Sequence, residues 1–391
     1  MSWQGIPDPP PAGFIPEIGS PSILLFCARS EVDYPFIVRV LDLLGLDRSR
    51  RSHKKGRSSS PWVLVYLKTP GINPEPLAPF VDGFLLGEPE KILPPVCVAF
   101  PRNREFWTSP AAIVPGLYVP RNYRVEYTPA GVIRGIKPRS PFSQPVPYRC
   151  PLPAAWWRRH FPGASGSGAV ARGKRAALWP VGSSAKLRRL LGRPPEEEHY
   201  LSQVPGLLQR GAENFTLHFF VGLPGEGAED REGIIRLVKR LRHAVFQFRR
   251  PTLFSGLITV NLVSFSPKPF SPLQWEGMFP LSLLQLQMKA LVSKLRAIPG
   301  VHVVHDLPKW AYLYGILARG DRRAGEFLRA LARRGGDWWS ALSEVNLNPD
   351  FYTVRQRSLE ESLPWDHLEG PVPRQKLEDQ ARAWREQAVR S

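Results

Sequence analysis

The sequence predicts an α/β protein with two open-sheet units and an irregular, partly helical tail. Three observations predict it. Apolar strand-like runs alternate with helix-like periodicity in two separate series, the pattern of βαβ units and parallel sheets. A stretch rich in Pro, Gly and Ser lies between the two series. Hydrophobic residues make up 43% of the 391-residue chain, with 12 Trp and 20 Phe, which is enough apolar surface for real cores.

The elements follow in order. Residues 1–20 read as a Pro/Gly-rich arm, and the 43 prolines of the chain foretell long connections and interrupted elements. SILLFC (22–27) reads as a buried strand. A helical face of Phe36, Val40, Leu43 and Leu44 follows, closed by Gly45. WVLVYL (62–67) is the second strand, so a parallel sheet begins here. NPEPLAPFVDGFLLGEPEKILP (73–94) gives a helix start and a third strand, Gly83–Leu86. Residues 115–138 read as extended segments with a turn at Pro129-Ala130-Gly131.

Between 139 and 182 the pattern collapses into a basic linker, and order returns at 183. Two short helices precede the strand NFTLHFFV (214–221), the turn GLPGEG (222–227) and a helix over 229–243 with acids first and bases last. GLITVNLVSF (256–265) and VHVVHD (301–306) are further strands. Between them Leu284, Met288, Leu291 and Leu295 form one helical stripe. The serial domains expected are 1–20, 21–138, 139–182, 183–345 and a C-terminal extension, 346–391.

Charge is placed rather than diffuse. The net charge is +19. No Asp or Glu occurs from Tyr127 to Pro195, a stretch with many basic residues, and Arg48–Arg57 is a second acid-free run. Arg158, Arg159, Arg172, Lys174 and Arg175 are candidates for binding a polyanion such as RNA, with Trp156 and Trp157 beside them for stacking. The alternative is a solvated linker whose tryptophans pack on a neighbouring domain.

No uninterrupted apolar run approaches a membrane span and no leader pattern is visible, so a soluble cytoplasmic protein is expected. The three cysteines, Cys27, Cys97 and Cys150, have neither metal-ligand spacing nor a disulfide framework. No catalytic triad, Walker loop, GxGxxG or zinc pattern is readable.

Several segments, in order, resemble one family that joins an N-terminal cobalamin-binding-like domain to a radical-SAM barrel. They are NPEPLAPFVDGFLLGEPE, PGLYVPRNYRVEYTPAGVIRGIKP, FTLHFFVGLPGE, VSFSPKPFSPLQWEG, HDLPKWAYLYGILARGDRRAG and NPDFYTVRQRSLEESLPWDHLEG. The resemblance implies a Rossmann-like open parallel sheet followed by a partial (β/α) barrel. It also implies S-adenosylmethionine and a 4Fe–4S cluster as the family's cofactors.

The departure from that family is as informative as the likeness. Its CxxxCxxC loop, whose three thiolates hold the cluster, is absent, and the corresponding stretch between Pro138 and Val181 holds Cys150 alone. The cobalt-ligating DxHxxG string is also absent; RSHKKG (51–56) lacks its Asp. No cofactor, metal site or catalytic residue is therefore expected. The reading is a degenerate radical-SAM-like protein that binds a protein partner, covering an open sheet edge, or RNA. The alternatives are an enzyme subunit whose cluster site is completed in trans or was lost through a gene-model error, and a nucleotide or small-molecule binder.

Two further groups could be chemical. Gly222, Pro224, Gly225 and Glu226 join a strand to a helix, where backbone N–H groups could meet a nucleotide, or where the turn is only a join. His305 and Asp306 with Arg319, Asp321 and Arg322 could line a polar pocket, or serve as caps and structural ion pairs.

Overall fold

The computed structural model describes residues 23–46, 61–69, 71–99, 114, 116–139, 146–147, 169–172, 174–248, 258–370 and 372–389. The 1–20 arm, the Arg48–Arg57 run and most of the 139–182 linker lie outside them. The chain forms two compact units. One gathers 1–151, 267–276 and 313–381; the other gathers 152–266, 277–312 and 382–391.

The first unit opens with β1 (Ile23–Ala28), α1 (Tyr34–Leu43), β2 (Trp62–Leu67), β3 (Gly83–Leu86), α2 (Pro89–Ala99) and β4 (Leu117–Tyr118). β1, β2 and β3 pair in parallel, and β4 closes the sheet antiparallel to β3. The βαβ expectation therefore holds. β2 and β3 read as continuous apolar runs because both faces are covered: Val63, Leu64, Val65 and Leu67 are all buried. Gly116 sets the entry to β4 with φ +84, and a Cβ there would stand 2.6 Å from the Leu86 carbonyl.

Two local expectations are corrected. The buried side of α1 is Tyr34, Ile37, Val38 and Leu41, while Phe36 and Leu43 are exposed. Both stripes fit a period of 3.6, and the packing of α1 on a later helix selects the first. NPEP does not start a helix. It forms turns and a 3-10 turn at Ala78–Phe80, with Asn73 and Glu75 buried.

β5 (Tyr123–Tyr127) and β6 (Ile133–Pro138) form an antiparallel hairpin around the foreseen turn, with Gly131 at φ +77. β7 (Val146–Pro147) is a two-residue strand.

The second unit holds β8 (Ala169–Arg172), β9 (Arg175–Val181), three short helices α3 (Ala185–Leu190), α4 (Glu197–Leu201) and α5 (Val204–Gln209), then β10 (Asn214–Val221), α6 (Ala228–Phe248), β11 (Ile258–Ser264), α7 (Leu281–Arg296) and β12 (Val301–His305). Its sheet runs β12-β11-β10-β9-β8. The first four strands are parallel, and β8 is antiparallel to β9. Among the described residues this sheet is open, with β12 and β8 at its edges. One face carries Leu178, Phe215, Leu217, Phe219, Val260 and Leu262 into a core shared with α6 and with the foreseen α7 stripe of Leu284, Met288, Leu291 and Leu295. The other face alternates in step and is only half-buried along β10 and β11.

The chain then runs through α8 (Pro308–Arg319), α9 (Ala324–Arg333), α10 (Trp338–Ser343) and α11 (Pro349–Thr353) to β13 (Leu368–Glu369), which pairs with β7, and to α12 (Arg374–Val389). α1 packs on α9. Most of the expected tail is thus built into the first unit, a division unlike the serial boundaries at 138, 182 and 345. No helix among the described residues is long and apolar enough to cross a membrane.

Candidate functional site

The carboxyl ends of the parallel strands in the second unit bring chemistry-bearing residues to one edge of the sheet. β10 ends in the turn that holds Gly222, Pro224, Gly225 and Glu226. Gly222 and Gly225 take φ +81 and +79, which an L side chain adopts only with strain. A Cβ on Gly222 would meet Leu284, and one on Gly225 would meet Ala388.

The turn is filled from within. The Glu226 carboxylate folds back and accepts the N–H of Gly222 and, at 3.1 Å, that of Leu223. The donors that could have met a ligand anion are already engaged. Glu226 is 6% exposed, and burial pushes its carboxyl up to about 7 against the two backbone donors.

Asp306, just past β12, binds across to β11. Its two oxygens accept the Ser264 N–H at 3.1 and 2.9 Å, and one accepts the Ser264 hydroxyl at 2.8 Å. Burial raises its carboxyl in spite of these donors. His305 Nδ1 lies 2.8 Å from the Asp306 carbonyl. Asp306 thus ties the end of β12 to β11.

Arg319, Asp321 and Arg322 belong to the first unit, and His305 and Asp306 to the second. Arg322 enters a buried network: Nε donates to Glu75 at 2.8 Å, Nη2 to the Tyr118 hydroxyl and the Pro120 carbonyl at 3.0 Å each, and Nη1 to the Tyr123 carbonyl at 3.1 Å. Tyr118 also donates to Glu75. Burial raises the Glu75 carboxyl and Arg322 lowers it. Burial works against the Arg322 charge, but Glu75 and Tyr118 outweigh it, so the guanidinium is held more firmly protonated than usual.

His367 packs on Tyr118 and Tyr123 with its Nε2 3.6 Å from Glu75. Burial, then the Arg322 charge, lower it to about 3, so the contact joins a neutral ring to the carboxylate. Asn73 completes the cluster, donating to the carbonyls of Leu317 (3.2 Å) and Gly320 (2.6 Å).

Arg319 is fully buried. It donates to the carbonyls of Thr353 (2.8 Å) and Arg355 (3.0 Å), and burial and the like charges of Arg357 and Arg355 hold it well below an ordinary arginine. Asp321 pairs with Arg323 at 2.6 Å and lines a small cleft with Tyr352, Arg355, Arg357 and Glu361. Charge density in the sequence pointed to Arg322. The sequence did not single out Glu75, Tyr118 or His367, because NPEP reads as a helix start and their contacts span the chain.

The basic candidates divide. Arg158 and Arg159, with Trp156 and Trp157, lie outside the described residues. Arg172 ends β8, Arg175 begins β9 and is exposed, and Lys174 between them pairs with Glu213 at 3.1 Å. Two other cations of the acid-free stretch serve the fold. Arg188 is 2% exposed and donates to the Pro195 carbonyl at 2.8 Å, and Arg193 is 6% exposed.

Cys27 is an exposed free thiol on the edge strand β1, Cys97 lies on α2, and Cys150 is outside the described residues. No group of three or more His, Cys, Asp or Glu able to hold a metal ion occurs among the described residues.

Comparison with known proteins gives partial matches. An uncharacterized protein of Methanocaldococcus jannaschii is 24% identical over 159 residues, which is 41% of this chain and 33% of that protein. The alignment thus spans about a third of that relative's length. Residues 17–120, which contain the parallel sheet, α1, α2 and the Glu75 turn, match the model of the N-terminal region of radical SAM proteins.

Proposed function

We propose that this chain is a degenerate radical-SAM-like protein that performs no radical chemistry by itself and acts by binding a partner, protein or RNA. One observation carries the reading: the chain holds three cysteines, at 27, 97 and 150, and no loop among them can set three thiolates around one cluster. Two more support it. The turn after β10 has its inward N–H groups taken by Glu226. The 51–56 string offers no histidine in the cobalt-binding pattern. The cytoplasm is the expected compartment.

The second reading is an enzyme subunit completed in trans. It draws on the open sheet, in which β12 is an edge strand among the described residues, where another strand could pair.

Anaerobic reconstitution of the full chain with iron and sulfide, followed by iron analysis and calorimetry with S-adenosylmethionine, tests the proposal. The expected result is substoichiometric iron and no heat of binding. A stoichiometric four-iron product lost on Cys150→Ser would overturn it.

A further inference from the structure

The sheet of the second unit has one face in the core and one that is not fully covered. Parallel sheets usually carry helices on both faces. The register gives the half-covered face in rows. Arg175 stands beside Asn214. Ala177, Thr216, Thr259 and His302 form the next row. Trp179, His218, Asn261 and Val304 form the third, and Phe220 and Val263 the last. Not one of these residues is acidic.

Its centre is an aromatic platform. The rings of Trp179 and His218 lie parallel, with centroids 3.7 Å apart and 5° between planes. Asn261 Nδ2 stands 3.0 Å from His218 Nδ1. Burial lowers His218 to about 4, so the ring is neutral at pH 7; with Nδ1 accepting from Asn261, the proton sits on Nε2. The Trp179 Nε1 donor is buried without an acceptor. Phe220 stands one row further on.

We propose that single-stranded RNA lies across this face, its bases stacking on the Trp179–His218 pair and Phe220, and its phosphates drawn toward Arg175. The proposal rests on the partner-binding reading above and names the partner. Three features select RNA. Stacked aromatics on an open sheet accept any base by its π-face. Asn261, Thr216 and Thr259 offer polar groups to base edges on the half-buried face. The face lacks acids, carries Arg175 at one end and belongs to a chain of net charge +19.

The test is fluorescence anisotropy of a labelled, mixed-sequence single-stranded RNA against the full chain at low and near-physiological salt. Micromolar binding is expected, weakening with salt. Trp179→Ala and Phe220→Ala should each weaken it roughly 5- to 150-fold, the range for loss of one stacked base. In case Trp179→Ala fails to fold, Thr259→Glu and His302→Glu place an acid on the face at half-buried and exposed positions. They should weaken binding at least tenfold, while Lys289→Glu on the exposed side of α7 should change it less than twofold. Melting curves followed by circular dichroism check that each variant is folded. RNA binding that the face variants leave equal to Lys289→Glu would overturn this site and leave RNA binding itself standing. No binding even at low salt would overturn the RNA assignment and leave a protein partner.

Discussion

Glu226 shows how one residue decides what a turn can do. A glycine-rich join between strand and helix suggests an anion site from sequence alone. Here the third residue beyond Leu223 brings its own carboxylate to those donors. The sequence shows that a Glu is present but not that it folds back, because that depends on burial under neighbouring chain. The same burial makes Glu226 sensitive to pH. Its carboxyl rises from 4.5 to about 7 on folding, so the native state keeps a proton that the unfolded chain releases between those values. Stability from this group is fully present below about pH 4.5 and is lost as pH rises through about 7. Glu226→Gln, which cannot ionise, removes that slope. Urea unfolding of both proteins from pH 4.5 to 7.5 should show the wild type losing up to about 3 kcal/mol relative to the variant. Parallel curves for the two would refute the assignment.

Strands β2, β3, β10 and β11 were legible as runs, as was the α7 stripe, because each follows its period without interruption. The face of α1 was not, since Phe36, Val40 and Leu43 are as periodic as Ile37, Val38 and Leu41. Only the partner helix α9 distinguishes them, and it lies far along the sequence. The end of β9 illustrates a different limit. Val181 sits at φ +63 and Gly182 N–H reaches the Pro180 carbonyl at 2.7 Å, a tight turn that a β-branched residue does not announce. Gly182 is required there by space: a Cβ would stand 2.6 Å from the Arg188 amide in the last turn of α3. Gly182→Ala should therefore cost about 1–3 kcal/mol by overpacking. Thermal and urea unfolding would measure it, and an unchanged midpoint would show that α3 can move aside.

At the scale of the molecule, order along the chain is not order in space. The sequence suggested domains in series, with a break in the Pro-rich linker. The break exists in composition, yet the first unit also needs 267–276 and 313–381. Trp365 donates to Gln274 at 2.8 Å, Arg357 N–H reaches the Trp275 carbonyl at 2.7 Å, and Arg322 neutralises Glu75. No local pattern encodes such pairs. A fragment ending at residue 151 would contain the residues of β1–β4, but folding them would bury Glu75 without its cation, at a cost of several kcal/mol. Expressed alone, residues 1–151 should give the dispersion-poor amide spectrum of an unfolded chain by NMR, whereas the full chain gives a dispersed one. A folded fragment would show that the later segments decorate the sheet rather than complete it.

The Glu75–Arg322 bond spans 247 residues. On a ribosome adding about 5–20 residues per second, roughly 12–50 s separate the emergence of the acid from that of its arginine, and His367 comes later still. Throughout that interval the first sheet waits unfinished, its apolar strands uncovered and its carboxylate in water. Until its last third is made, the nascent chain therefore carries apolar surface exposed to aggregation.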